Sequence, residues 1–415
     1  MPSAHIVVHY HELWLKRGNR PFFLHQLRAA LRRALDGIAI AGISQPADRL
    51  IIEIADAAQI EDALQRLARV SGISHLGVAR VLRRSDLADH PFDTLCEAAW
   101  QEVRGESFAT FAVRARRSDK AFPLNALAIE REVGGYLFDR LLAEGRQVRV
   151  DLDSPQLTCR IEVTRGPLLV YARRLAGPGG LPPNTAGKLV CLLSGGFDSA
   201  VAAYKMMKRG AHLSFVHFWG GGALAGESSV HAARQLLERL VPWQFSAKLY
   251  LVPFEPLQRE IAARAADTFR TLLYRRLMLR IAERIALRSG AKGVVTGDSL
   301  GQVASQTLQN LQSVGSIARL PLYRPLVGDD KLEIQEIARR IGTYEISAEP
   351  FHDCCPVFQS KSPALFATSE ALDAAEAGLD VTSLVDQGIR SMAVERYRYT
   401  QGKTERLAAR HTTTA

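Results

Sequence analysis

KLVCLLSGGFDSAVAAYKMMKRG, residues Lys188 to Gly210, runs an apolar stretch into Ser-Gly-Gly-Phe-Asp-Ser and out into a helical pattern. Leu189–Leu193 reads as a buried strand and Ser199–Arg209 as a helix, closed by Gly210 as a C-cap. Glycine lacks a side chain, so the backbone N–H groups of Ser194-Gly195-Gly196 are open to close approach by an anion, at the positive end of the helix that follows. The hydroxyls of Ser194 and Ser199 add donors. Asp198 would repel a bare phosphate, so its presence implies Mg2+ or a water held against the anion. The pattern GxxxxGK[ST] is absent, which excludes a Walker loop. The stretch predicts a nucleotide-phosphate turn at the rim of a parallel sheet.

The rhythm around it supports that sheet. HLSFVHFW (212–219), KLYLVPF (248–254) and AKGVVTGD (291–298) are nearly continuous apolar strands. They alternate with helices predicted at Ser228–Leu240, Pro256–Arg288 and through Gln306, which is the pattern of a doubly wound parallel sheet. Upstream, GPGGLPPNTAG (177–187) is dense in Gly and Pro and marks a linker. Before it, short strands and helices alternate in an α+β manner. IVVHY, a helix near Pro21–Leu35, RLIIEIA and a helix near Ile60–Val70 fit a ferredoxin-like unit. A second unit holds strands near Thr110–Ala115, Val148–Leu152 and Cys159–Val163 and a helix near Leu124–Leu142. Residues 391–415 carry five Arg/Lys against two Glu and read as a basic, partly disordered tail.

A chain of 415 residues exceeds one ordinary core, so several domains are expected. The net charge of +10 attracts polyanions and makes nucleic acid a natural partner. No run of about 18 apolar residues and no signal-peptide layout is present, which predicts a cytoplasmic protein that does not enter membranes. Five cysteines, Cys96, Cys159, Cys191, Cys354 and Cys355, form neither a disulfide framework nor CxxC metal spacing, so no protein-held metal site is predicted.

Three further stretches narrow the chemistry. VVTGDSLGQVASQTLQNL (294–311) is a second strand entering a Gly/Ser turn, which would sit beside the first turn where ligands bind open α/β sheets. RPLVGDDKLEIQEIARRIGTYEIS (324–347) opens an amphipathic helix at Asp330 and Lys331, and a cation there would balance charge on an α-phosphate. FHDCCPVFQSKSP (351–363) sets adjacent cysteines before a proline.

SGGFDS looks like the PP-loop of ATP pyrophosphatases. With the three stretches above it closely resembles the tRNA 4-thiouridine synthetases, tRNA sulfurtransferases of the ThiI type. HELWLKRGNRPFF resembles the family's start, and FAVRARRSDKAFPLNALAIEREVGGYL with VRVDLDSP resembles its THUMP RNA-binding domain. The likeness covers about residues 5 to 370. It implies a ferredoxin-like domain over 1–57, a THUMP domain over 58–174, a PP-loop ATP pyrophosphatase domain over 175–390 and a basic tail over 391–415.

The resemblance also implies site roles. Leu192 and Leu193 would line ATP beside Ser194, Gly195, Gly196 and Ser199. His217 and Phe218 would end the second strand near the adenine, although His217 reads equally well as a packed core histidine. Arg275 stands at a basic ATP contact, and Gly297 and Gln306 at further nucleotide contacts. Asp198 and Lys331 match the activation residues. Cys355 matches the persulfide cysteine, with His352 and Lys361 near in sequence to favour its thiolate.

The implied reaction adenylates the C4 oxygen of the uridine at position eight of tRNA, using ATP and Mg2+, and replaces it with persulfide sulfur. RNA would meet Lys16, Arg17 and Arg20 in one patch and Arg114, Arg116, Arg117 and Lys120 in another. Longer members end in a rhodanese-like domain with a second cysteine. Here no cysteine follows Cys355, so a cysteine desulfurase or a separate rhodanese is the expected sulfur donor, and the family's thiazole role is not expected. The thiol that resolves the resulting disulfide stays open among Cys354, Cys159, Cys191 and an external thiol, and a homodimer is compatible with this layout. An enzyme acting on another tRNA position and a tRNA-binding module without catalysis are the competing readings.

Overall fold

The computed structural model describes residues 4–407 apart from 47, 88, 221–222, 350–359 and 361. It divides into two compact units, Met1–Gly180 and Leu181–Ala415.

In the first unit a continuous sheet carries two helical layers. Arg20–Ala34 is helical because Leu27, Ala30, Leu31 and Ala34 recur at helical spacing and bury one stripe. Ala126–Ala143 repeats the device with Ile129, Val133, Leu137 and Leu141, and the Asn125 side chain caps its first turn. The strand His75–Leu82 is central. It pairs antiparallel with Ala4–His9 on one edge, in the register Ile6 to Val78, and with Leu168–Tyr171 on the other, Val81 to Leu169. The boundary expected at residue 57 is therefore corrected, because it would separate Ala4–His9 from its own partner strand. That partner went unread because SHLGVARVLR alternates weakly and contains a glycine. Gly77 is needed there, since a Cβ would lie 2.7 Å from the Tyr171 ring.

The predicted linker is ordered and divides at its middle. Gly177 and Gly179 donate to the Ser74 and Ile73 carbonyls, while Leu181 and Ala186 donate to those of Lys208 and Gly210.

The second unit is the doubly wound sheet. Its strands lie in the order Leu322–Tyr323, Val294–Val295, Lys188–Leu192, His212–Trp219, Ser246–Pro253, Ala393–Thr400 and Lys403–Leu407. The first five are parallel and the last two antiparallel. From Lys188–Leu192 the chain builds outward in one direction, then returns to add Val294–Val295 on the other side. The strand order thus reverses between those two strands, where ligands bind in such folds.

Three expectations are corrected here. The helix predicted over Pro256–Arg288 is two helices, Glu255–Arg264 and Arg270–Ser289, broken where Ala265 turns extended and Asp267 accepts from Arg270 at 2.9 Å. The helix predicted through Gln306 is a loop ending in one turn, Ala304–Gln306. A true helix, Leu308–Gly315, starts only after the Thr307 cap. The described part of the supposed tail, through Leu407, is a hairpin on the sheet. Glu395, Tyr397 and Tyr399 point inward in strict alternation, and Gln401 and Gly402 both take positive φ, the backbone of a tight two-residue hairpin turn. Among the described residues no helix is long and apolar enough to cross a membrane.

Candidate active site

At the switch point the strand Lys188–Leu192 delivers the chain into the turn that precedes the helix Phe197–Lys208. The turn is closed by two serines. The Ser199 hydroxyl accepts from the Ser194 N–H at 3.1 Å and reaches the Gly196 carbonyl at 3.0 Å, and the Ser194 hydroxyl accepts from the Gly196 N–H at 3.2 Å. Gly196 adopts an ordinary extended conformation (φ −74°, ψ 152°), and a Cβ there would meet nothing nearer than the Ser194 hydroxyl at 3.5 Å. Gly196 leaves open space rather than satisfying a strained backbone.

The second loop interlocks with the first. A Cβ on Gly297 would lie 2.8 Å from the Ser199 backbone nitrogen and 3.0 Å from the Asp198 carbonyl carbon. Only glycine lets these loops touch. Between them opens a cavity of about 280 Å3. Leu192, Val216, Phe218, Met278, Leu279 and Val314 form an apolar end suited to a base, and Ser194, Asp198, Ser199, Gly297, Arg275 and Arg324 line the polar end. Gln306 and Leu193 also face it. Nine residues singled out in the sequence meet here: Leu192, Leu193, Ser194, Asp198, Ser199, Phe218, Arg275, Gly297 and Gln306.

Gly195 and Gly196 shape the turn without lining the cavity. His217 does not line it either. Its ring is fully buried between the Leu193 carbonyl, 2.9 Å from Nδ1, and the Ser229 hydroxyl, 3.2 Å from Nε2. It braces the carboxyl end of its strand as a packed core histidine.

The sequence reading missed the ionic centre. Asp298 is buried between two arginines: Arg275 bonds one carboxylate oxygen, Arg324 Nε lies 3.2 Å from the other, and the Thr296 hydroxyl donates to that oxygen at 2.7 Å. Burial would push the Asp298 carboxyl up, but the charge of Arg275, the Thr296 hydroxyl and the charge of Arg324 outweigh it and hold the carboxyl below its ordinary value. Arg275 is further fixed by the Ser305 carbonyl at 2.9 Å. One aspartate thus aims two cations at the polar end, leaving net positive charge for an anion.

Asp198 behaves oppositely. Burial raises its carboxyl above the usual range, against a hydrogen bond from Gln302 and the charge of Lys331. Its Oδ1 is buried without a hydrogen-bond partner, as are the Oε1 atoms of Gln302 and Gln306. Three unsatisfied oxygens beside an anion pocket suit a hard cation or its water shell. No cluster of three or more His, Cys, Asp or Glu side chains forms a metal cage among the described residues, so phosphate oxygens would complete such a shell. Lys331 opens the helix Lys331–Ile341, whose start is fixed by a capping box between Asp330 and Glu333. Lys331 is not in the cavity wall but is close enough to act on Asp198.

Cys355, Cys354, His352 and Lys361 lie outside the described residues. Cys96, Cys159 and Cys191 are buried free thiols. Burial pushes the Cys159 thiol up to about 12, that of Cys96 up to about 11, and that of Cys191 up strongly. Two of the thiols named as resolving candidates, Cys159 and Cys191, therefore present no thiolate in this state.

A family model described as thiamine biosynthesis protein (ThiI) matches residues 184–381, the ThiI ferredoxin-like domain matches 5–77, and the THUMP domain matches 92–173. A probable tRNA sulfurtransferase of Thermus thermophilus is 42% identical over 397 residues, 96% of this chain and 95% of its own length. The chain belongs to the ThiI family of tRNA sulfurtransferases. A second relative, a probable tRNA sulfurtransferase of Moorella thermoacetica, is 36% identical over 94% of this chain and 96% of its own. The crystal structure of a 4-thiouridine synthetase–RNA complex with bound ATP superposes with a TM-score of 0.83 at 32% identity, covering 95% of this chain and all of that one.

The basic patches fall in the stretches matched by the ferredoxin-like and THUMP models. Arg20 stacks on Trp14, 3.5 Å from the ring centroid, and donates to the Tyr10 hydroxyl at 3.3 Å, while Lys16 lies 5.1 Å from the Phe23 ring. Arg17 is exposed on a left-handed backbone (φ 41°). In the THUMP domain Arg114 donates to the Leu152 carbonyl, and Arg117 donates to the Lys120 carbonyl at 2.7 Å. Both guanidiniums thus brace backbone, whereas Arg116 and Lys120 extend exposed side chains.

Proposed function

We propose that this chain is an ATP-dependent tRNA sulfurtransferase that converts the uridine at position eight of tRNA to 4-thiouridine. The observation that carries the reading is the cavity at the switch point, where the SGGFDS turn, the TGD loop, an unpartnered Asp198 oxygen and the Arg275–Asp298–Arg324 centre converge. Family membership and the ATP-bound synthetase–RNA relative support the same assignment.

The uracil C4 oxygen is a poor leaving group. In this reading it attacks the α-phosphorus of ATP, pyrophosphate departs, N3 releases a proton that it regains once sulfur is in place, and the C4–O bond becomes cleavable with AMP as the leaving group. The turn's N–H groups and serine hydroxyls hold the phosphates. Arg275 and Lys331 balance charge as it develops. When bound, Mg2+ supplies Lewis-acid neutralisation of the phosphates, with Asp198, Gln302 and Gln306 as the oxygens that would hold it or its water.

Cys355 then carries sulfur as a persulfide, loaded by a cysteine desulfurase or a separate rhodanese. The terminal sulfur attacks C4 and AMP leaves with the oxygen. A second thiolate attacks Sγ of Cys355, breaking the S–S bond and leaving the sulfur on the base. With Cys159 and Cys191 buried, Cys354 or an external thiol takes that part.

The test separates the half-reactions. Asp198→Ala abolishes tRNA-dependent release of pyrophosphate from ATP, while Cys355→Ser retains it and forms no 4-thiouridine. Pyrophosphate release by Asp198→Ala at the unaltered rate would remove the proposed role of the site.

A further inference from the structure

One buried side chain ties the nucleotide loop to the stretch that follows the cysteine pair. Asn310 lies in the first turn of the helix Leu308–Gly315 and has no exposed surface. Its Nδ2 donates to the Ala304 and Ala364 carbonyls, each at 2.8 Å, and its Oδ1 accepts from the Ala367 N–H at 2.9 Å. Thr307, the cap of the same helix, donates its hydroxyl to the Leu365 carbonyl at 2.7 Å. Ala304 directly precedes Ser305, whose carbonyl and hydroxyl hold Arg275 at the ATP cavity. Residues 364–367 directly continue the SKSP stretch downstream of Cys355. Asp267 is a second anchor on that stretch. It accepts from the Ser360 hydroxyl at 3.2 Å and the Ser362 N–H at 3.5 Å, and the neighbouring Thr268 carbonyl accepts from the Ala364 N–H at 2.9 Å. Packing alone needs no amide at position 310. An amide that spends both donor hydrogens and its acceptor on two irregular stretches fixes them to each other.

We propose that Asn310, with Asp267 as the second anchor, is a positioning residue for sulfur transfer, an inference that rests on the reading given under Proposed function. Neither side chain touches a reacting atom. Together they set where the chain that carries Cys355 rejoins the nucleotide loop. The adenylated uridine has two fates. The terminal persulfide sulfur attacks C4, AMP leaves with the oxygen, and sulfur stays on the base. Alternatively water attacks C4, AMP leaves, and uridine is restored with one ATP spent. Both routes break the same C4–O bond, so their ratio depends on how closely the sulfur is held to C4. Loosening the anchors leaves adenylation intact and diverts the adenylate from sulfur to water.

The experiment compares the full-length protein with Asn310→Ala and Asp267→Ala. Each is given Mg-ATP, a persulfide donor and unmodified tRNA transcript, and pyrophosphate, AMP, 4-thiouridine and persulfide on Cys355 are measured together. Both variants should release pyrophosphate at close to the wild-type rate and load Cys355 to the wild-type extent. The AMP formed per sulfur inserted should rise about 10-fold or more. Asn310→Ala leaves three backbone groups without their partner. Asp267 is part-exposed, so Asp267→Ala carries the test where the first variant does not fold. An unchanged ratio of AMP to sulfur in Asp267→Ala would overturn the inference. So would a fall in pyrophosphate release that matches the fall in thiolation, which is what a merely structural role produces, or a loss traced to unloaded Cys355. Wild-type protein that thiolates no transcript, or Cys355→Ser that thiolates at the wild-type rate, would instead overturn the underlying function.

Discussion

Replacing Gly297 by alanine tests whether the two loops form one phosphate cradle. The new Cβ would sit 2.8 Å from the Ser199 backbone nitrogen and 3.0 Å from both the Asp198 carbonyl carbon and the Ser199 Cα. Ordinary contact begins near 3.4 Å, so the loops must part by about 0.6 Å, and every clashing atom is backbone that no rotamer change can remove. Overpacking of this kind costs roughly 1–3 kcal/mol. Relief moves the first turn of Phe197–Lys208, which carries Asp198 and the N–H groups that face the cavity. Losing the alignment of one hydrogen bond to a charged phosphate costs about 1.5–3 kcal/mol, or on the order of 10- to 100-fold in ATP affinity.

Titration calorimetry with Mg-ATP, alongside thermal melting, reads both effects. Gly196→Ala is the matched control, because its Cβ meets only the Ser194 hydroxyl at 3.5 Å on a backbone alanine adopts freely. That variant should melt like wild type, because its methyl meets no backbone atom of either loop. Unchanged ATP affinity in Gly297→Ala, with an unchanged Tm, would refute the interlocked-loop reasoning.

Three further outcomes follow from the same geometry. Asp298→Asn leaves Arg275 and Arg324 without their shared counter-charge; it should cost about 3 kcal/mol by denaturant titration and weaken ATP binding, and a neutral effect on both would dismiss the ionic centre. In the first unit His75, stacked 4.1 Å from His9, is pushed down to about 3 by burial, then by His9 and Arg174. The unfolded chain then binds more protons than the folded one below the ordinary histidine range, so stability falls as pH drops from about 6.5 toward 3, and His75→Phe should flatten Tm against pH there. Arg116→Ala should weaken tRNA binding uniformly and lower the salt slope by roughly one for each phosphate the shortened side chain fails to reach, whereas an unaltered salt titration would take Arg116 out of the RNA surface.

The catalytic sheet was legible in the sequence because buried parallel strands are unbroken apolar runs and their turns carry the glycines. The helix opening at Asp330 and Lys331 was legible from its amphipathic spacing, and the structure adds the capping box with Glu333. The Asp298 centre was not legible. Asp298 stands inside a motif already singled out, but its meaning comes from Arg275 and Arg324, which reach it only through the pairing of Val294–Val295 with Leu322–Tyr323 and the packing of Arg270–Ser289. The terminal hairpin was legible and went unread. Glu395, Tyr397 and Tyr399 alternate with exposed residues before Gln-Gly, but the basic composition suggested a tail. Glu395 shows why the charge count misled: it is buried against Arg234 and Arg406, so part of that charge is structural. His217 is the reverse case, a chemically suggestive residue whose hydrogen bonds are spent on the core.

The most direct measurement is nucleoside mass spectrometry with position mapping on unmodified tRNA transcript, after incubation with purified protein, Mg-ATP and a persulfide donor. The account predicts 4-thiouridine at residue eight, with one AMP formed per sulfur inserted. Sulfur at another position, or AMP formed without any thiolated base, would contradict it.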